Sequence, residues 1–104
     1  MEPVRTSEQR ERMAKLSLRD ARGYRDAAVY LTRWAAEDEA YDGGRTTDGL
    51  VASKIRAALG HEVWGEYLVG RLSWDEYLVA DKMLPSWQGE ALDDFLDAVR
   101  AVAS

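Results

Sequence analysis

The 104-residue sequence predicts an all-α single domain of about five helices, a long leading helix followed by a small irregular orthogonal bundle. Three observations predict it. No alternating run of β-branched residues occurs anywhere, so no strand is expected. Apolar residues instead recur at helical spacing along most of the chain. Finally, the pattern W-x-E-Y-L-V occurs at Trp64–Val69 and again at Trp74–Val79, with Gly70-Arg71-Leu72-Ser73 between the copies. Glycine closes a helix in the left-handed conformation at little steric cost. Ser73 followed three residues later by Glu76 reads as a capping box for the next helix. The centre of the chain is therefore a tight helix–turn–helix corner.

Met1–Arg5, with Pro3, reads as a frayed lead-in, and a helix is expected from about Ser7. Its favourable ion pairs would be Glu8–Arg12 and Glu11–Lys15. An apolar stripe of Met13, Leu16, Tyr24, Ala27, Leu31 and Trp34 keeps its phase through Gly23, so one helix to roughly Glu39 is expected. Tyr41–Gly49, rich in Gly, Asp and Thr, reads as a loop, with Thr47 or Asp48 capping a second helix that Gly60 ends. A short helix over Glu62–Val69 leads to the corner, and Trp74–Leu84 forms the next helix, stopped by Pro85. Ser86 would start the last, with Leu92, Phe95, Leu96, Val99 and Val102 as its stripe. The expected division is 1–41 leading helix, 42–49 loop and 50–104 four-helix body with its turn at 70–73. Trp64, Trp74, Leu78, Leu92, Phe95 and Leu96 are the expected core.

Composition excludes several chemistries. With no cysteine, disulfides, zinc–thiolate sites and thiol nucleophiles are absent. His61 is the only histidine, so H-E-V-W-G-E lacks the second ligand of a zincin helix, and no serine sits on a strand-to-helix elbow. Gly44–Gly49 has P-loop glycine spacing but lacks the Lys-Ser/Thr that follows, and Asp38–Gly49 has no glutamate at the twelfth position of a calcium loop. No catalytic residue, metal site or cofactor is expected, and no enzymatic activity. No window resembles a membrane span or a signal peptide, so a cytoplasmic protein without membrane attachment is expected.

Gly70–Leu84 is similar to the short helical SHOCT-type segments that often close bacterial membrane-associated chains, with Gly70, Leu72, Ser73, Glu76, Tyr77, Lys82 and Leu84 on that pattern. The match covers about fifteen residues, mostly stop-and-cap chemistry, and assigns no family.

Charge is unevenly distributed. Residues 1–33 carry +3 and residues 34–104 carry −8. The basic side chains of the first helix, Arg12, Lys15, Arg19 and Arg22, fall along one edge, and Asp20 interrupts the apolar stripe beside them. These five are the expected partner-binding residues. The function expected is that of a small non-catalytic protein that binds and inhibits or regulates a larger protein or ribonucleoprotein, in the manner of anti-CRISPR proteins, antitoxins and immunity proteins. Alternatives are direct nucleic-acid binding through the Arg-bearing first helix or the corner, or a phage structural or assembly role. The helix after the corner begins Trp74-Asp75-Glu76 and carries no arginine, which argues against the corner.

Overall fold

A computed structural model describes residues 1–37 and 44–104. Within them lie four α-helices, α1 (Ser7–Glu37), α2 (Gly44–Leu68), α3 (Trp74–Met83) and α4 (Leu92–Ala103), and a 3-10 turn at Leu84–Ser86. There is no strand among the described residues. Instead of five helices in an orthogonal bundle, the chain forms two hairpins of unequal length. α1 and α2 run antiparallel, with Arg10 beside Leu68 and Arg25 beside Glu62. α3 and α4 form the shorter hairpin, in which Arg100 reaches back to the Arg71 carbonyl. At ~1.5 Å per residue, the 31 residues of α1 account for most of the 51 Å long axis.

The seam between α1 and α2 is made of small residues. Ala14, Ala21 and Ala28 recur every seven positions and are at most 5% exposed, with Ser17 buried beside them. Since α1 packs on no other helix among the described residues, they face α2, where Ala58 and Gly65 are buried and a Cβ on Gly65 would lie 4.0 Å from Leu18. Small side chains let two helix backbones approach closely, and a heptad spacing keeps them on one face. The expected stripe of α1 is offset from this seam. Met13, Tyr24, Ala27 and Leu31 are half-buried along its flank, Met13 against the core, while Leu16 is 47% exposed and Trp34 is exposed. Val29 and Tyr30, outside the expected stripe, are exposed too, because the alanines and Ser17 occupy the centre of the seam.

Other boundaries also shift. α2 already runs from Gly44, so Thr47 and Asp48 lie inside it and cannot cap its start, and Gly60 does not end it. Tyr41–Gly43 of the expected loop lie outside the described residues. Gly60 is where Leu84 packs: a Cβ there would meet the Leu84 side chain at 3.2 Å. The helix tolerates this glycine at about 1 kcal/mol. α4 starts at Leu92 instead of Ser86. Before it, Trp87 leaves the 3-10 turn in extended geometry and packs edge-on against Phe95, with ring centroids 5.1 Å apart.

The corner forms as expected. Gly70 has φ +86°, its N–H donates to the Tyr67 carbonyl (3.0 Å), and the Arg71 N–H donates to Glu66 (2.9 Å). That pairing is a Schellman motif. Ser73 accepts from the Glu76 N–H at 3.1 Å, while the Glu76 side chain accepts from the Ser73 N–H at 2.9 Å. This last bond holds the Glu76 carboxyl below the usual carboxylate range. The charged cap is therefore intact at neutral pH and is lost only as acid protonates the group through that lowered value. Gly70→Ala should cost about 1 kcal/mol or more, since a Cβ is strained at positive φ. Ser73→Ala should cost about 0.5–2 kcal/mol. Denaturant melts of both variants check the assignment.

The duplicated motif builds the centre of the molecule. Trp64 and Tyr67 from one copy meet Trp74 and Tyr77 from the other, with ring centroids 5.1–5.6 Å apart. Such tilted aromatic pairs add to simple area burial. The lead-in is not frayed throughout. The Tyr67 hydroxyl donates to the Glu2 carboxylate at 2.6 Å, which raises the phenol's pKa, and Arg5 stacks over Trp64 at 5.1 Å. Arg10 lies 4.8 Å above the Tyr67 ring and donates to the Tyr67 and Leu68 carbonyls, a favourable cation at a helix C-terminus. The surrounding core comprises Leu59, Val63, Leu68, Leu72, Phe95, Leu96 and Val99. Leu92, Trp64 and Trp74 are half-buried at its edge, and Leu78, expected inside, is exposed.

Candidate interaction surface

α1 contacts no helix but α2 among the described residues. Among the described residues, no other helix covers the side of α1 turned away from the seam. Its N-terminal part carries the residues expected from sequence. Arg12 pairs with Glu8 at 3.4 Å and Lys15 with Glu11 at 3.5 Å, all four more than two-thirds exposed. Arg19 lies 4.0 Å from the neighbouring Asp20, and Arg22 makes no ion pair with a described residue. Asp20 does not interrupt a buried stripe, because the seam lies elsewhere on the helix. It faces water and touches Arg19. Exposed pairs of this kind contribute about 0–1 kcal/mol, so these charges are not needed to hold the fold.

Sequence reasoning missed the large apolar side chains beside that edge. Leu16 stands among Arg12, Lys15 and Arg19, and further along the helix follow Val29, Tyr30, Arg33 and Trp34. The alanine heptad at 14, 21 and 28 was the signal that could have found them, since it fixes which face turns inward. A groove of about 480 Å³ beside Arg19 and Asp20 continues to Gly23, Tyr24, Ala27 and Lys54. There the Lys54 ammonium lies 5.5 Å from the Tyr24 ring and His61 stacks on Tyr24 at 5.5 Å.

His61, which follows the glycine expected to end the second helix, lies inside α2. It borders a second groove of about 420 Å³ with Arg56, Trp64, Tyr77, Asp81 and Phe95. Burial, with a smaller contribution from Asp81, raises the Tyr77 pKa and keeps its phenol protonated. The groove offers hydrogen-bond donors and apolar walls. No group of three or more His, Asp or Glu side chains able to hold a metal ion comes together among the described residues. Arg25, half-buried, forms a forked pair with Glu62 (2.6–3.2 Å) and donates to the Glu90 carbonyl at 2.8 Å. It ties the loop before α4 to the long hairpin. Among the described residues no helix is long and apolar enough to cross a membrane.

The chain matches no family model, no curated protein and no solved structure.

Proposed function

We propose that this is a non-catalytic cytoplasmic protein that inhibits or regulates a larger protein or ribonucleoprotein by binding it through the outer face of α1. One observation carries the reading: α1 buries Ala14, Ser17, Ala21 and Ala28 in its seam and leaves Leu16 exposed among basic side chains. Exposed apolar surface rimmed by charge marks contact sites, and Arg is enriched among the residues that dominate binding energy in interfaces. The contact surface is the basic edge Arg12, Lys15, Arg19 and Arg22 around Leu16, with Asp20 at its border. An acidic partner surface complements it. The class is that of phage and mobile-element inhibitors such as anti-CRISPR proteins, antitoxins and immunity proteins, where a small rigid domain blocks a larger machine.

Direct nucleic-acid binding is the second reading, favoured by the same arginines. Glu8, Glu11 and Asp20 sit among them and lower the net positive charge a phosphate backbone would meet. Charge reversal at Arg19 and Arg22 is expected to leave the melting temperature nearly unchanged. The same change should weaken partner binding at least about tenfold, or ~1.4 kcal/mol. The test is affinity capture from source cells, with and without nuclease, using wild type and the double reversal side by side. A stoichiometric protein retained after nuclease and lost from the variant supports the reading. Capture that vanishes with nuclease supports the second, and equal capture by both proteins places the contact elsewhere.

A further inference from the structure

We propose that the groove between α2 and α3 binds a small aromatic zwitterion, with Arg56 taking its carboxylate and Asp81 its ammonium group. This inference does not rest on the partner reading, which uses the outer face of α1. The groove follows from two rows of residues. Arg56, Gly60 and Trp64 stand four residues apart along one face of α2, with His61 beside them, and Tyr77 and Asp81 stand four apart on α3. Gly60, in the middle of the first row, carries no side chain, and Leu84 walls the space beside it. The volume of about 420 Å³ falls within the ~300–1,000 Å³ usual for small-molecule sites.

The polar groups lining this space are unpartnered. The side chains of Arg56, His61, Tyr77 and Asp81 make no hydrogen bond or ion pair with a described residue. Arg56 is nonetheless half-buried. A guanidinium that gives up water without meeting a counterion weakens a fold, so packing does not account for an arginine here. A ligand carboxylate would supply the missing partner in forked geometry. His61 has one ring face on Tyr24, and its nitrogens are left for the groove. The protonated Tyr77 phenol adds a further donor.

Charge sets the class of ligand. Arg56 and Asp81 place one full charge of each sign on the groove, and among the described residues no other Asp, Glu, Lys or Arg lines it. A simple anion would be drawn by Arg56 and repelled by Asp81, and a simple cation the reverse. An occupant with one charge of each sign satisfies both, and ligands with only one are disfavoured. The walls set its body. The Trp64 and Tyr77 rings, with centroids 5.1 Å apart, line the groove above the buried Phe95. Such surfaces favour a ring packed offset or edge-on. For a ligand of about fifteen non-hydrogen atoms, a dissociation constant of roughly 0.1–1 mM is expected.

Titration of the isotopically labelled full chain with L-tryptophan to about 10 mM at neutral pH, followed by amide NMR shifts, tests this. Saturable shifts centred on His61, Trp64 and Tyr77 are expected. Indolepropionate lacks the ammonium group and tryptamine lacks the carboxylate, and each should bind more weakly than tryptophan. Arg56→Gln should weaken tryptophan and indolepropionate at least about fivefold and leave tryptamine no weaker. Asp81→Asn should weaken tryptophan and tryptamine by a similar factor and leave indolepropionate no weaker. A residue that merely supported the fold would not divide the ligands in this way. Arg56→Leu should lose tryptophan binding while its melting temperature stays the same or rises, because no counterion is stranded. The proposal is overturned by the absence of saturable shifts at 10 mM, by shifts centred on another face, or by equal loss of all three ligands in either variant. An Arg56→Leu chain that melts well below wild type also overturns it, since the arginine would then be structural.

Discussion

Phe95→Ala is expected to destabilise the protein by about 3–5 kcal/mol, a large share of the ~5–15 kcal/mol available to a domain. Phe95 has no exposed surface and sits where the two hairpins meet, with Leu59 and Val63 of α2 and Leu96 and Val99 of α4 in the same core. Its ring is also the surface on which Trp87 packs edge-on. Truncation therefore opens a cavity and releases the loop that sets the start of α4. That loop has few other ties: Trp87 to Phe95, and the Arg25 bond to the Glu90 carbonyl. Phe95→Leu, which keeps much of the volume, should recover most of the loss. Denaturant melts followed by circular dichroism and by the summed fluorescence of the four tryptophans check this. An Ala variant that melts like wild type would mean α4 is peripheral.

The corner and the last helix were legible in sequence because their determinants are local. Gly70, Ser73 and Glu76 lie within seven residues and need nothing beyond backbone geometry to act. The W-x-E-Y-L-V duplication pointed to two helices offering similar faces, and those faces do meet in one aromatic cluster. What failed was whatever depended on a distant packing partner. Gly60 read as a stop, yet Leu84 fills the space beside it and α2 continues. Ser86 read as a start, yet Trp87 turns aside to reach Phe95. Glu2 and Arg5 had no visible role until α2 placed Tyr67 and Trp64 beneath them. On the candidate surface, the exposure of Arg12, Lys15, Arg19 and Arg22 followed from charge alone. The exposure of Leu16, Tyr30 and Trp34 did not, because hydrophobicity weights large side chains whereas a close helix seam selects small ones.

Ala21→Leu is the second large effect expected. Ala21 is 2% exposed at the middle of the seam, so a longer side chain there must be fitted between α1 and α2. Overpacking of this kind costs about 1–3 kcal/mol. The strain falls on a seam that extends along both helices, so they must separate along several turns to relieve it. Their separation would also loosen the ties that depend on it, the Arg25–Glu62 pair and the Arg10 contacts to the end of α2. Thermal melts should show a broad loss of stability, not a local one.

Functional readings of α1 all depend on which of its faces turns outward. The most direct measurement is a pair of denaturant melts, Ala21→Leu beside Leu16→Ala. With alanines in the seam and large residues facing a partner, Ala21→Leu should lose about 1–3 kcal/mol. Leu16→Ala, at an exposed position, should then stay within about 0.5 kcal/mol of wild type. The opposite pattern, a tolerated Ala21→Leu and a loss of about 2–5 kcal/mol for Leu16→Ala, would put the large stripe in the core and leave α1 with no apolar contact face.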